Sequence, residues 1–173
     1  MTKTDNENPQ NTQKSENPFV ATRFKAGNAA QSAQDRNRLW WEFKPMTYER
    51  WENEDRLPKD KATFEAMEDY LLARSPFLST RLDVAALRGQ RVLDLGCGSG
   101  GLSCYLAKNG VDVTAADITE QGTALTSKNA ALRNLPVGVV RTDAEAMGLA
   151  DNRFDFVLSW GVLHHSENTE RAL

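Results

Sequence analysis

The chain has 173 residues, 40% hydrophobic and 26% charged, with a formal net charge of −3; that is enough for one domain with a real core and too little for two large ones. Twenty-one basic residues against twenty-four acidic ones leave no electrostatic footprint for nucleic acid or an anionic membrane, and no stretch approaches the roughly 18 apolar residues that a spanning helix or the apolar core that a signal peptide needs. The two cysteines, Cys97 and Cys104, exclude a disulfide scaffold and a zinc site built on CxxC pairs, and they fit a reducing, cytoplasmic setting.

Residues 1–38 are rich in Asn, Gln, Thr, Ser, Lys and Glu and are expected to form a disordered polar tail, because they offer too little apolar surface to offset ordering entropy. Residues 39–81 read as an N-terminal helical segment. It opens on the aromatic cluster Trp40, Trp41 and Phe43, which can act as a lid or as a packed cap. The spacing of Phe64, Met67 and Leu71 predicts an amphipathic helix from Lys59 to about Ala73, closed before Pro76. Tyr48 to Lys61, dense in both charges around Trp51, reads as a solvated loop or helix face rather than a binding patch.

From residue 82 onward the pattern alternates. Arg91–Leu95 is a short apolar run ending in glycines, and Leu102, Tyr105 and Leu106 mark a helix that Gly110 can end. Val111–Asp117 is the next strand, Thr119 is a plausible N-cap, and the helix that follows runs to Asn134 before Pro136. Val137–Val140 and Phe154–Trp160 supply two further strands, with a helical turn near Glu145-Ala146-Met147 between them. Such alternation predicts an α/β fold with a parallel sheet and right-handed crossovers.

The strongest chemical signal is Asp94-Leu95-Gly96-Cys97-Gly98-Ser99-Gly100-Gly101, where a strand passes into a helix. Glycines there permit a positive-φ turn and a close ligand approach, and the helix N-terminus offers N–H groups. Gly96, Gly98 and Gly101 also satisfy the dinucleotide pattern with Asp117 downstream. Asp94 separates the two readings. A carboxylate aimed into the crevice repels a pyrophosphate and attracts a cationic ligand such as an aminoacyl ammonium.

The run Val92-Leu93-Asp94-Leu95-Gly96-Cys97-Gly98-Ser99-Gly100 resembles the first motif of the class I S-adenosylmethionine-dependent methyltransferases. That resemblance covers about residues 82–173 and implies a Rossmann-like sheet and S-adenosyl-L-methionine as cofactor. It implies cofactor contacts from Asp94, Gly96, Cys97 and Gly98. Asp117, followed by Ile118, would accept hydrogen bonds from both ribose hydroxyls. The Asp143 side chain and the Ala144 backbone would hold the adenine edge, and Ser159 and Trp160 would lie against the methionyl part. His164 and His165 fall beside the acceptor, where an imidazole could take a proton, but the preferred reading is that one packs under the sheet and the other caps or orients the following helix. Cys97 and Cys104 read as small buried residues.

The expected activity is methyl transfer to a small-molecule acceptor, with no nucleic acid, no membrane insertion and no metal required. Two rival readings are a cofactor-binding protein without turnover and a nicotinamide-dependent oxidoreductase. Because the resemblance implies seven strands and only four are legible, the chain is also expected to be a fragment, with the fourth strand on an exposed edge.

Overall fold

Strand β1, Arg91–Leu95, is buried along its length except at Arg91, as a near-continuous apolar run in the interior of a parallel sheet should be. It pairs with β2, Asp112–Asp117, on one side and with β4, Phe156–Leu158, on the other, while β2 pairs with β3, Val137–Arg141. The order β3-β2-β1-β4 is parallel throughout. The computed structural model describes residues 32–45 and 57–173, which fall in one unit, Ser32–Leu173.

Helices enter the sheet order where the sequence places them. In chain order these are α1, Ala33–Phe43; α2, Lys61–Arg74; α3, Pro76–Arg81; α4, Gly101–Lys108; α5, Glu120–Leu132; and a short α6, Thr169–Ala172. The Phe64, Met67 and Leu71 face of α2 is buried as predicted. Leu71, Leu102, Leu106, Val92 and Val113 pack into one core on one side of the sheet, and Leu93, Leu95 and Ala116 form a smaller one. Burying side chains of this size contributes roughly 1.5–3 kcal/mol each.

Three expectations change. Residues 32–38 are helical rather than disordered: the Ser32 hydroxyl caps α1 by accepting from the Asp35 N–H at 3.0 Å, and the helix finds polar partners elsewhere on the fold that local composition does not announce. The remaining tail residues, 1–31, and most of the charged segment around Trp51 lie outside the described residues. Pro76 does not merely end α2 but opens α3 at the first helical position, where its missing N–H costs nothing. The fourth strand is shorter than Phe154–Trp160, and it lies at the sheet edge with Phe156 and Val157 exposed. Its register is pinned at its start, where the Arg91 guanidinium forks onto both Asp155 oxygens at 2.7 and 3.0 Å and holds that carboxyl down at about 2.

A buried ion pair network joins the helices on the α2 side. Glu68 of α2 receives Lys108 of α4 on Oε1 at 2.9 Å and Arg133, after α5, on Oε2 at 2.6 Å. The Arg133 approach is close but not aligned as a hydrogen bond. Glu68 and Arg133 are 2% and 3% exposed, so removing one strands the other in a low-dielectric site. Glu68→Ala is expected to lower unfolding stability by about 3–5 kcal/mol in urea titrations, and Glu68→Gln by less.

Candidate active site

The carboxyl ends of all four strands open into one cavity. Counting the open solvent at its mouth, its empty space is about 1000 Å³. The track follows the strand order. Ala144 lies beyond β3, Asp117 and Ile118 at the end of β2, Gly96 to Ser99 at the end of β1, and Trp160 beyond β4.

The glycine turn after β1 is held from three sides. The Gly96 and Cys97 N–H groups both donate to the Ala116 carbonyl of β2, at 2.7 and 3.0 Å. Thr126 of α5 donates from Oγ1 to the Gly98 carbonyl at 3.0 Å, and the Asn129 amide donates to the Ser99 carbonyl at 3.2 Å. Gly96 sits at φ +84°, and a Cβ there would run into the Val162 side chain, so that position admits only glycine. Gly98, at φ +55°, meets no protein atom on that side. Since Gly98 also lines the cavity, a side chain there would stand in the space a ligand needs.

Asp117 ties this turn to the next helix. Its Oδ2 accepts from the Gly98 N–H at 2.9 Å, and its Oδ1 accepts from the Thr119 N–H at 2.9 Å and the Thr119 hydroxyl at 2.6 Å. Thr119 is the N-cap expected from the sequence, its hydroxyl accepting from Gly122 N–H at 3.0 Å. Gly122 was not singled out by sequence, yet a Cβ there would lie 2.7 Å from the Thr119 hydroxyl and 2.9 Å from the Asp117 carboxyl. A carboxylate has about four acceptor sites; with three engaged, about one remains for a ligand.

Asp94 lies elsewhere than expected. It is 2% exposed, and its Oδ2 accepts from the Ser103 hydroxyl of α4 at 2.5 Å. The cavity wall begins one residue later, at Leu95; the carboxylate therefore stands behind the turn instead of facing the crevice. Burial raises its pKa to about 6, with the Asp117 charge adding to the rise and the Ser103 hydrogen bonds opposing it. Cys97 lines the cavity, but its thiol is pushed well above its usual value by burial and by both carboxylates. Cys104 is pushed up to about 12 by burial. Neither thiol is a nucleophile near neutral pH.

At the far end Ser159 donates to the Leu95 carbonyl at 3.0 Å, holding the chain beyond β4 against β1. Trp160 reaches the cavity and packs on Phe77 of α3, centroids 4.4 Å apart. His164 and His165 occupy a 3₁₀ turn, Leu163–His165. Of the two, His165 reaches the cavity, with its ring edge-on to Trp41 of α1 at 5.0 Å and tilted against His164 at 4.0 Å. Burial and the neighbouring His164 lower its pKa, favouring the neutral imidazole.

The remaining wall is α1, which supplies Gln34, Asn37 and Trp41. It is attached by polar contacts. Both Glu42 carboxylate oxygens accept from the first turn of α5, from Glu120 N–H at 2.8 Å and Gln121 N–H at 2.9 Å. Two orphan N–H groups are satisfied by a residue about 80 positions away. Gln34 donates from Nε2 to Asp143 Oδ1 at 2.7 Å. The aromatic cluster hinted at a lid, but Gln34 and Glu42 have no local signature.

Residues 93–173 match the family described as a methyltransferase domain. Curated relatives include the ubiquinone biosynthesis O-methyltransferase of Rhizobium rhizogenes, 38% identical over 84 residues that cover 49% of this chain and 34% of the relative. That of Sinorhizobium fredii is 39% identical over 79 residues, covering 46% and 32%. The chain thus spans about a third of the length of these relatives. Among solved structures, the magnesium protoporphyrin IX methyltransferase of Synechocystis covers 84% of this chain and 69% of its own at 23% identity and TM-score 0.55. A putative methyltransferase of Methanococcus maripaludis covers 68% and 58% at 23% identity and TM-score 0.52. These two share the fold of the methyltransferase domain.

Asp94 supplies a pH signature. Its folded pKa of about 6 lies above the unfolded value of about 3.9, so the native state holds the extra proton between those values. Stability therefore falls as pH rises from about 4 to about 6 and levels off above. Urea titrations of wild type against Asp94→Asn are expected to show wild type losing about 2–3 kcal/mol relative to the variant across that window. A flat difference would place the carboxylate in contact with water.

Proposed function

We propose that this chain carries the cofactor-binding half of an S-adenosylmethionine-dependent methyltransferase acting on a small molecule. The observation that carries the reading is the continuous track along the strand ends, from Ala144 past Asp117 and Gly98 to Trp160 and His165. Its fit is supported by the cradle at Gly98, where a Cβ would occupy ligand space, and by the acceptor site that Asp117 retains.

When bound, the cofactor supplies an electrophilic methyl group on a sulfonium. The chain's own residues hold and orient it. Asp117 receives one ribose hydroxyl directly, with Ile118 beside it, while Asp143 and the Ala144 backbone take the adenine edge. The turn at Gly96, Cys97 and Gly98 carries the aminoacyl part. Asp94 acts from behind that turn, its negative charge favouring the ammonium through the field rather than by contact. Trp160 and Trp41 line the acceptor end, where orientation of the reacting atoms contributes most. His165 holds a neutral imidazole that can receive the acceptor's proton.

Relatives named for O-methylation in ubiquinone biosynthesis favour an oxygen acceptor, and the tryptophans at that end suit an aromatic one. Two buried free cysteines favour a reducing, cytoplasmic setting. No helix among the described residues is long and apolar enough to cross a membrane.

Titration calorimetry is expected to give heat for S-adenosylhomocysteine and none for NAD, and transfer of isotopically labelled methyl to a panel of hydroxyaromatic acceptors would test turnover. NAD binding without S-adenosylhomocysteine binding would overturn the reading. Asp117→Ala should weaken S-adenosylhomocysteine about 10- to 100-fold, the loss of a charge-assisted hydrogen bond plus the slackened glycine turn; affinity within twofold of wild type would remove Asp117 from the site.

A further inference from the structure

The Gln34 side chain occupies an unusual position. Thr142 and Ala144 line the cavity and Asp143 between them does not, whereas Gln34 of α1 does. The Gln34 amide nitrogen lies 2.7 Å from Asp143 Oδ1, the same oxygen that accepts from the Glu145 N–H at 2.9 Å. The amide's orientation is set by its own oxygen, which accepts from Asn37 Nδ2 and from the Glu167 N–H, both at 3.4 Å. An sp² amino group therefore already donates to the Asp143 carboxylate from the cavity side. In the proposed cofactor, the group that would use this carboxylate is also an sp² amino group, on C6 of adenine.

We propose that Gln34 is an internal competitor for the adenine amino group, donating to Asp143 in the free protein and yielding it when the cofactor binds. The inference rests on the proposed function, in particular on adenine meeting Asp143. The exchange leaves α1 in place, because its other attachments do not involve Asp143. The Gln34 backbone N–H donates to Glu167 Oε2 at 3.0 Å, and Glu42 remains on the N-terminus of α5. A side-chain rotation that also gives up the two 3.4 Å contacts of the amide oxygen clears the carboxylate, and α1 stays as the wall over the site. Asp143 is thus kept hydrogen-bonded in the free state, at the expense of cofactor affinity. Gln34 sets that affinity without being a catalytic residue.

The test is calorimetric titration of wild type, Gln34→Ala and Gln34→Met with two ligands: S-adenosylhomocysteine and its 6-deamino analogue, in which purine replaces adenine. Methionine keeps the length of the side chain and removes the donor, and both substitutions suit a helix. Each variant is expected to bind S-adenosylhomocysteine about fivefold more tightly, the release of one net hydrogen bond. The 6-deamino analogue, having no amino group to place on Asp143, should gain less than twofold. If Gln34 were only a fastening for α1, both variants would bind both ligands equally or more weakly than wild type. That outcome, or an equal gain for the two ligands, overturns the proposal while leaving the methyltransferase reading intact. Wild type binding neither ligand overturns both.

Discussion

The Asp117 carboxylate is the joint on which the site depends. Through three accepted hydrogen bonds it connects the glycine turn after β1 to the first turn of α5, and it does so from the end of β2. The turn cannot hold its own shape: its glycines are chosen for freedom, and freedom costs order unless something outside the segment restrains it. Asp117 restrains the Gly98 N–H, while Thr126 and Asn129 restrain the carbonyls of Gly98 and Ser99. A turn open enough to receive a ligand is thereby stiff enough to orient one.

A second consequence of the same joint is electrostatic. Asp117 and the buried Asp94 lie close enough for the charge of one to raise the pKa of the other, and they stand on either side of a backbone turn with N–H groups of its own. A pyrophosphate here would meet the Asp117 carboxylate directly and the field of Asp94 from behind the turn, whereas a zwitterionic aminoacyl group has a cation to match them. The acceptor end is different in character. Trp160, Trp41 and His165 line it there, with Phe77 packed on Trp160, so one cavity runs from a charged, hydrogen-bonding end to an aromatic one.

The closure of this cavity by α1 follows from polar contacts instead of apolar burial. None of the residues of α1 is fully buried, and the helix is held by Glu42 on two N–H groups of α5 and by Gln34 on Asp143 and Glu167. Such contacts are individually modest and exchange readily with water or a ligand, which suits a wall that must admit one. The deeper helices are held differently, by a continuous apolar core and by Glu68 between Lys108 and Arg133. The rigid part of the molecule thus lies behind the sheet, and the exchangeable part lies over the strand ends.

By itself, the sequence determined the alternating order of strands and helices, the glycine turn after β1, Asp117 at the end of β2 and Thr119 as the cap of α5. Each is a local matter: periodicity, a positive-φ turn and a side chain bonding its own backbone two or three residues on are all written within a few neighbouring positions. The tertiary structure decided where the polar residues 32–38 dock as helix: the Ser32 cap is local, but the partners at Asp143 and Glu167 lie more than a hundred positions away. It decided that Asp94 faces Ser103 behind the turn, since a strand residue's direction depends on which helix packs against that face. It also decided the parts played by Gly122, Gln34 and Glu42, whose contacts exist only once α1 and α5 are placed on the sheet. Local chemistry leaves a local mark; a contact between distant segments leaves none in a single chain until the fold has closed the distance.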